Sequence, residues 1–303
     1  MGLDDDLLAS DRYAEIKILA ENLIKREGVE VVPMLVVEGE EDENVFRKFC
    51  VLAPTQVRLV HNKDNVEGVI REFRLDLPPF LELAGLTDCD AVGKAPEDPK
   101  LRADPALVVT QGCDLEADLF LIGAVERALE ALNVRGASDL AARAMDMAVP
   151  ISALRRGAHA EGIGMTIPPK KHRLRFAWLD DQAIEACASA KFEDALDAVS
   201  RACAERLGWR QQELIAATAA TTRDGVTFAS VGSGKDAFDA LSFLSREINA
   251  LKDLQPAKLI EHSARQVRAT DFAEWHVGRR LTSWQDATGV QLINLASDSL
   301  AKT

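Results

Sequence analysis

The sequence is poor in the groups that ready-made covalent or redox chemistry requires. It has five cysteines and five histidines in 303 residues, and a single tyrosine, Tyr13. Cys50, Cys89, Cys113, Cys187 and Cys203 form no Cys-x-x-Cys pair, and no Cys/His spacing of the zinc type occurs. An odd number of unpaired cysteines suits buried thiols in a reducing compartment. No Gly-x-Ser-x-Gly elbow is present, so serine hydrolase chemistry lacks its nucleophile. The segment Gly232-Ser-Gly-Lys-Asp236 resembles a P-loop only superficially. Ala229 stands where the first glycine is needed and Asp236 where the Mg²⁺-binding hydroxyl is needed.

Long apolar runs are also missing. The longest, Val31 to Val37 and Leu119 to Val125, fall far short of the ~20 residues that cross a bilayer. Asp4, Asp5 and Asp6 stand where a secretory signal would carry basic residues, and Asp6 breaks the Met-Gly myristoylation pattern. These features predict a cytoplasmic protein with no membrane partner.

The net charge is −13, but it is unevenly spread. Residues 1–133 hold 28 acidic and 14 basic residues, whereas the remainder holds 21 and 22. The total therefore does not exclude a phosphate-bearing partner. The main basic island, residues 154–176, contains Arg155, Arg156, Lys170, Lys171, Arg173 and Arg175 and is opposed only by Glu161. Its glycines and prolines predict a loop able to grip a nucleic-acid backbone; the same composition suits a solvated connection paired with the acidic half.

Periodicity predicts an α/β protein. Short apolar runs at 31–37, 57–60, 80–86 and 107–110 read as buried strands, alternating with helical spacing at 11–26, 42–52 and 65–73. Alternation of this kind implies a mainly parallel sheet. From Asp114 onward the pattern is almost wholly helical, beginning with one long helix over 114–132, continuing through helices over 139–147, 192–207 and 211–219, and ending with helices over 271–281 and 286–295. A boundary at 133/134 divides the two patterns, giving an α/β domain over 1–133 and a helical domain over 134–303. Phe238, Leu241, Leu244 and Ile248 share one helix face, which suits a homodimer interface or a core.

Carboxylates fall where the strands end. Glu38-Gly39 follows the first strand, Asp88-Cys89-Asp90 the third, and Asp114-Leu-Glu116 the fourth. If the first and third strands are neighbours, Glu38, Asp88 and Asp90 crowd one sheet edge, where a hard cation such as Mg²⁺ or Mn²⁺ would relieve their repulsion. Glu38 alone reads equally as a turn residue, Asp114 as a helix N-cap, and Glu40 to Glu43 as a solvated helix start favoured by the dipole. Lys63 precedes a helix and could help that N-terminus hold a phosphate, or lie on the surface.

The order Val-Glu38-Gly-Glu-Glu-Asp42, His-Asn-Lys63-Asp-Asn-Val66, Thr-Asp88-Cys-Asp90, Asp114-Leu-Glu116 and Gly234-Lys-Asp236 resembles a bacterial TOPRIM family. It includes AriB-type anti-phage effectors, is related to the OLD nucleases, and was long known only as a domain of unknown function. The TOPRIM core of the match covers roughly residues 29–120. The resemblance implies a TOPRIM (Rossmann-like) sheet and a Mg²⁺-dependent nuclease cleaving DNA or RNA beside an ABC-type ATPase partner. It implies metal and catalytic roles for Glu38, Asp88 and Asp90, with Asp114 and Glu116 as a further acidic pair. The alternative is a non-catalytic subunit docked on the ATPase. Topoisomerase chemistry would need a nucleophilic tyrosine, and Tyr13 lies outside the core; primase chemistry would need a zinc module, and none is encoded.

Overall fold

The computed structural model describes residues 3–89, 103–160, 166–167, 172–173, 176–189, 191–207, 226–246 and 255–294. It resolves into two compact units: Met1–Asp88 with Lys94–Gln111 and Val267–Thr303, and Cys89–Gly93 with Gly112–Gln266. The division differs from the boundary expected at 133/134. It falls at the end of the sheet, and the C-terminal segment returns to the first unit.

The first unit opens with α1 (Leu3–Glu27), followed by β1 (Val32–Val37), α2 (Glu40–Phe46), β2 (Val57–Leu59), α3 (Lys63–Asp76), β3 (Leu81–Thr87) and β4 (Leu107–Val109). The strands form one parallel sheet in the order β2-β1-β3-β4. All six residues of β1 are buried, as a central strand covered on both faces requires, which is why it reads as an unbroken apolar run. Asn62 caps α3 by accepting a hydrogen bond from the Asn65 amide at 2.7 Å.

The expected helix over 286–295 does not form. Here α12 (Asp271–Glu274) and α13 (His276–Thr288) end before Gly289, whose φ of +73° stops the helix. The chain beyond runs extended, with Cys50 and Ile293 forming a bridge, and the Gln285 side chain accepts from the Leu292 and Ile293 amides at 2.8 and 2.7 Å. Phe46, Phe49, Phe272 and Trp275 pack into one cluster with ring centroids 4.8 to 6.0 Å apart. Such pairs contribute about 0.5–1.5 kcal/mol each beyond burial, and this cluster ties the C-terminal segment to α2 and the turn after it.

The second unit holds α4 (Leu115–Leu121), α5 (Ala124–Ala131), α6 (Ala137–Ala160), the short antiparallel pair β5 (Thr166–Ile167) and β6 (His172–Arg173), then α7 (Asp181–Ser189), α8 (Phe192–Leu207), α9 (Phe228–Val231), α10 (Gly234–Leu244) and α11 (Pro256–Arg265). The single helix expected over 114–132 is interrupted at Gly123, in the left-handed region at φ +71°. α6 runs well past Met147 and through Pro150. The carbonyl deprived of its donor there is that of Asp146, an exposed position where water can serve instead. Phe238 and Leu241 of α10 are buried in the unit's core, while Ile248 lies outside the described residues. The helix expected over 211–219 also lies outside them. Among the described residues, no helix is long and apolar enough to cross a membrane.

Candidate functional site

β1 and β3 are adjacent, and they mark the place where the chain reverses its direction of travel across the sheet. From β1 it moves outward to β2, then returns past β1 to β3 and on to β4. In open parallel sheets the crevice at the carboxyl ends of strands flanking such a point is the favoured ligand site. Glu38 follows β1 and Asp88 follows β3, both half-buried. The Glu38 carboxylate accepts a hydrogen bond from the Asp88 amide, and the Lys63 ammonium donates to the Asp88 carbonyl at 3.1 Å. One peptide segment thus orients both a carboxylate and a cation.

Glu38 and Asp88 stand at the ends of adjacent strands, with the Glu38 carboxylate on the Asp88 amide; Asp90, the third member expected there, lies outside the described residues. Among the described residues, no group of three or more His, Cys, Asp or Glu side chains is arranged to hold a metal ion. Two carboxylates at a partly open edge nevertheless fit the hard divalent ions. Mg²⁺ is commonly held by one or two carboxylates, with waters and substrate phosphate completing its shell.

Asp114 and Glu116 belong to the second unit, and both are buried. Asp114 is the N-cap of α4, its Oδ1 accepting from the Ala117 amide at 2.8 Å and from the Gly234 amide at 2.8 Å. Oδ2 accepts from the Ser233 hydroxyl at 2.9 Å. A buried carboxylate with three protein donors is a clasp between α4 and the start of α10. Gly234 makes the clasp feasible: a Cβ there would lie 2.1 Å from the Glu116 carbonyl carbon. Glu116 is buried and faces the Lys235 ammonium at 3.3 Å, so its charge is already countered. Asp42 is likewise buried, not solvated, accepting from the Gly39 amide at 2.9 Å.

The basic island is corrected in part. Arg155 lies on α6, not on a loop, and its side chain is 6% exposed. It forms an ion pair with Asp236 at 2.7 Å. Burial alone would lower its pKa, but the facing Asp236 carboxylate, together with Cys113 and Asp114, holds it above the ordinary arginine value. A guanidinium so held is an internal strut and not a phosphate contact. Asp236 also accepts from the Phe176 amide at 3.0 Å and the Ser152 hydroxyl at 3.3 Å. Arg156, next on the helix, is exposed and donates to the Ser230 carbonyl at 3.0 Å. Arg173 falls on β6; Lys170 and Lys171 lie outside the described residues.

Three polar residues have partners or surroundings that the sequence does not signal. Asp118, fully buried, accepts from the Gly112 amide at 2.7 Å. Asp236 pairs with Arg155 across 81 positions of sequence, a separation at which no local pattern signals a partner. Thr87, the last residue of β3, is fully buried, and its hydroxyl has no hydrogen-bond partner among the described residues. Its only signal was its place immediately before Asp88.

Comparisons with protein-family models, with curated proteins and with solved structures found no match.

Proposed function

We propose that the protein is a divalent-metal-dependent nuclease of TOPRIM type, hydrolysing phosphodiester bonds of DNA or RNA and acting as a defence effector beside an ABC-type ATPase. The observation that carries this reading is the juxtaposition of Glu38 and Asp88 at the carboxyl ends of adjacent strands, where the parallel sheet changes direction. Glu38, Asp88 and, by its place in the sequence, Asp90 are the residues to hold Mg²⁺ or Mn²⁺. When bound, such an ion supplies an activated water and neutralises charge on the scissile phosphate. The protein's own groups do the rest. Glu38, steered by the Asp88 amide, is placed to hold a proton at its carboxylate, and Lys63 is fixed beside it to meet a phosphate.

The test is cleavage of labelled single- and double-stranded DNA and RNA with Mg²⁺ or with chelator, by wild type, Glu38→Ala and Asp88→Ala. The proposal expects metal-dependent cleavage that falls about 100-fold or more in either variant, a barrier change of about 2.7 kcal/mol. Undiminished cleavage by both variants overturns the site. Absence of cleavage by the wild type, with and without the ATPase, leaves the docking role in its place.

A further inference from the structure

The Thr87 hydroxyl is anomalous. Buried polar groups are almost always hydrogen-bonded, and leaving one unpaired costs free energy; yet this side chain is fully buried and its Oγ1 has no partner among the described residues. Its direction follows from the sheet. Alternate residues of a strand share a face, and Gly85, two residues earlier, abuts α3 so closely that a Cβ there would lie 2.8 Å from Val66 and 2.9 Å from Ile70. Thr87 therefore points to the same side, beneath α3. Since α3 meets the carboxyl end of β3 through Lys63, which reaches the Asp88 carbonyl at 3.1 Å, the hydroxyl lies under the first turn of that helix.

Register adds a second group. Val36 pairs with Gly85, so the same register carried two residues on sets Glu38 opposite Thr87 on the face of Gly85. The same small volume thus receives the positive end of a 14-residue helix, the ammonium of Lys63 and an unused hydroxyl donor. All three suit an oxyanion, and the Lys63 charge offsets that of Glu38 on the same peptide.

We propose that Thr87 and Lys63, at the N-terminus of α3, form a phosphate-oxygen subsite, with the Thr87 hydroxyl kept unpaired in the free protein in order to donate to a bound phosphate group. The subsite deepens the nuclease reading and rests on it for its biological use, but the binding of phosphate can be measured without any cleavage. An isosteric Thr87→Val change removes only the donor. In the ligand-free protein it relieves the unpaired group and raises the melting temperature by several degrees.

The experiment titrates inorganic phosphate calorimetrically into wild type, Thr87→Val, Thr87→Ser and Glu38→Gln, in metal-free buffer with chelator, and melts each protein without phosphate. The expected result is phosphate binding by wild type and Thr87→Ser, weakened about tenfold or more in Thr87→Val. Glu38→Gln, which removes a neighbouring negative charge, binds as well as wild type or better. No phosphate binding by the wild type, equal binding by Thr87→Val, or a Thr87→Val protein no more stable than wild type each overturns the subsite. Cleavage lost in Glu38→Ala would still stand in that event. Phosphate binding as expected, without metal-dependent cleavage, would instead sink the nuclease reading alone.

Discussion

Replacing Asp236 with alanine should unfold the second unit far more easily, because it strands a buried guanidinium. Arg155 and Asp236 are 6% and 1% exposed and 2.7 Å apart, so neither charge has recourse to water. Removing one member of such a pair typically costs about 3–5 kcal/mol, most of it the penalty on the charge left behind. Asp236→Ala also frees the Phe176 amide and the Ser152 hydroxyl. For a unit of this size each kcal/mol moves the melting temperature by about 2–4 °C, so a fall of about 6–20 °C is expected in the transition belonging to that unit. Scanning calorimetry of Asp236→Ala beside the double variant Arg155→Met/Asp236→Leu decides the matter. Removing both charges should recover much of the loss, and should leave the salt dependence of nucleic-acid binding as in wild type, since Arg155 contributes no phosphate contact. A single variant melting within about 2 °C of wild type would refute the reasoning, as would a double variant less stable than the single one.

Gly234→Ala must push a methyl group onto the backbone of Glu116 and Ala117, where its Cβ would lie 2.1 to 2.2 Å from the nearest atoms. A loss on the order of 3 kcal/mol or more is expected in denaturant titration; a loss under about 1 kcal/mol would show that the clasp yields easily. Asp114→Ala removes the α4 cap and its bonds to Ser233 and Gly234, so it should cost at least about 1 kcal/mol while leaving Mn²⁺ affinity unchanged; a lost metal site would contradict its structural role. His276 is held below the ordinary histidine pKa by burial and then by Arg280 and Arg279. Stability is thus fully present above the unfolded value near 6.5 and declines as the pH falls toward the lower folded value, because the unfolded chain takes up the proton first. Melting curves between pH 7.5 and 5.5 should fall less steeply for His276→Gln, and parallel curves would count against this.

The strands were legible because burial on both faces leaves an unbroken apolar run, and each of the four was placed to within about two residues by that signal alone. The helix Phe192–Leu207 was legible to both its ends, because its apolar stripe is regular. Breaks and continuations were harder. The left-handed turn at Gly123 and the passage of α6 through Pro150 depend on what packs around them, and local propensity yields to that. At the candidate site, Glu38 and Asp88 announced themselves because strand ends are readable and strand order could be conjectured. Asp114 was legible as a cap, but its bonds to Ser233 and Gly234 span some 120 residues. Arg155 misled for the same reason: a run of basic residues records charge, not the distant carboxylate that buries one of them.

The central claim is that the edge formed by Glu38 and Asp88 holds a hard divalent ion. Its most direct measurement is the anomalous difference density of crystals grown with Mn²⁺. The account predicts a peak at the carboxyl ends of β1 and β3, within about 2.0–2.3 Å of carboxylate oxygens of Glu38 or Asp88, and its loss in crystals of Glu38→Ala/Asp88→Ala. Mn²⁺ seated on Asp114 and Glu116 instead, or no peak at the sheet edge at saturating metal, would contradict it.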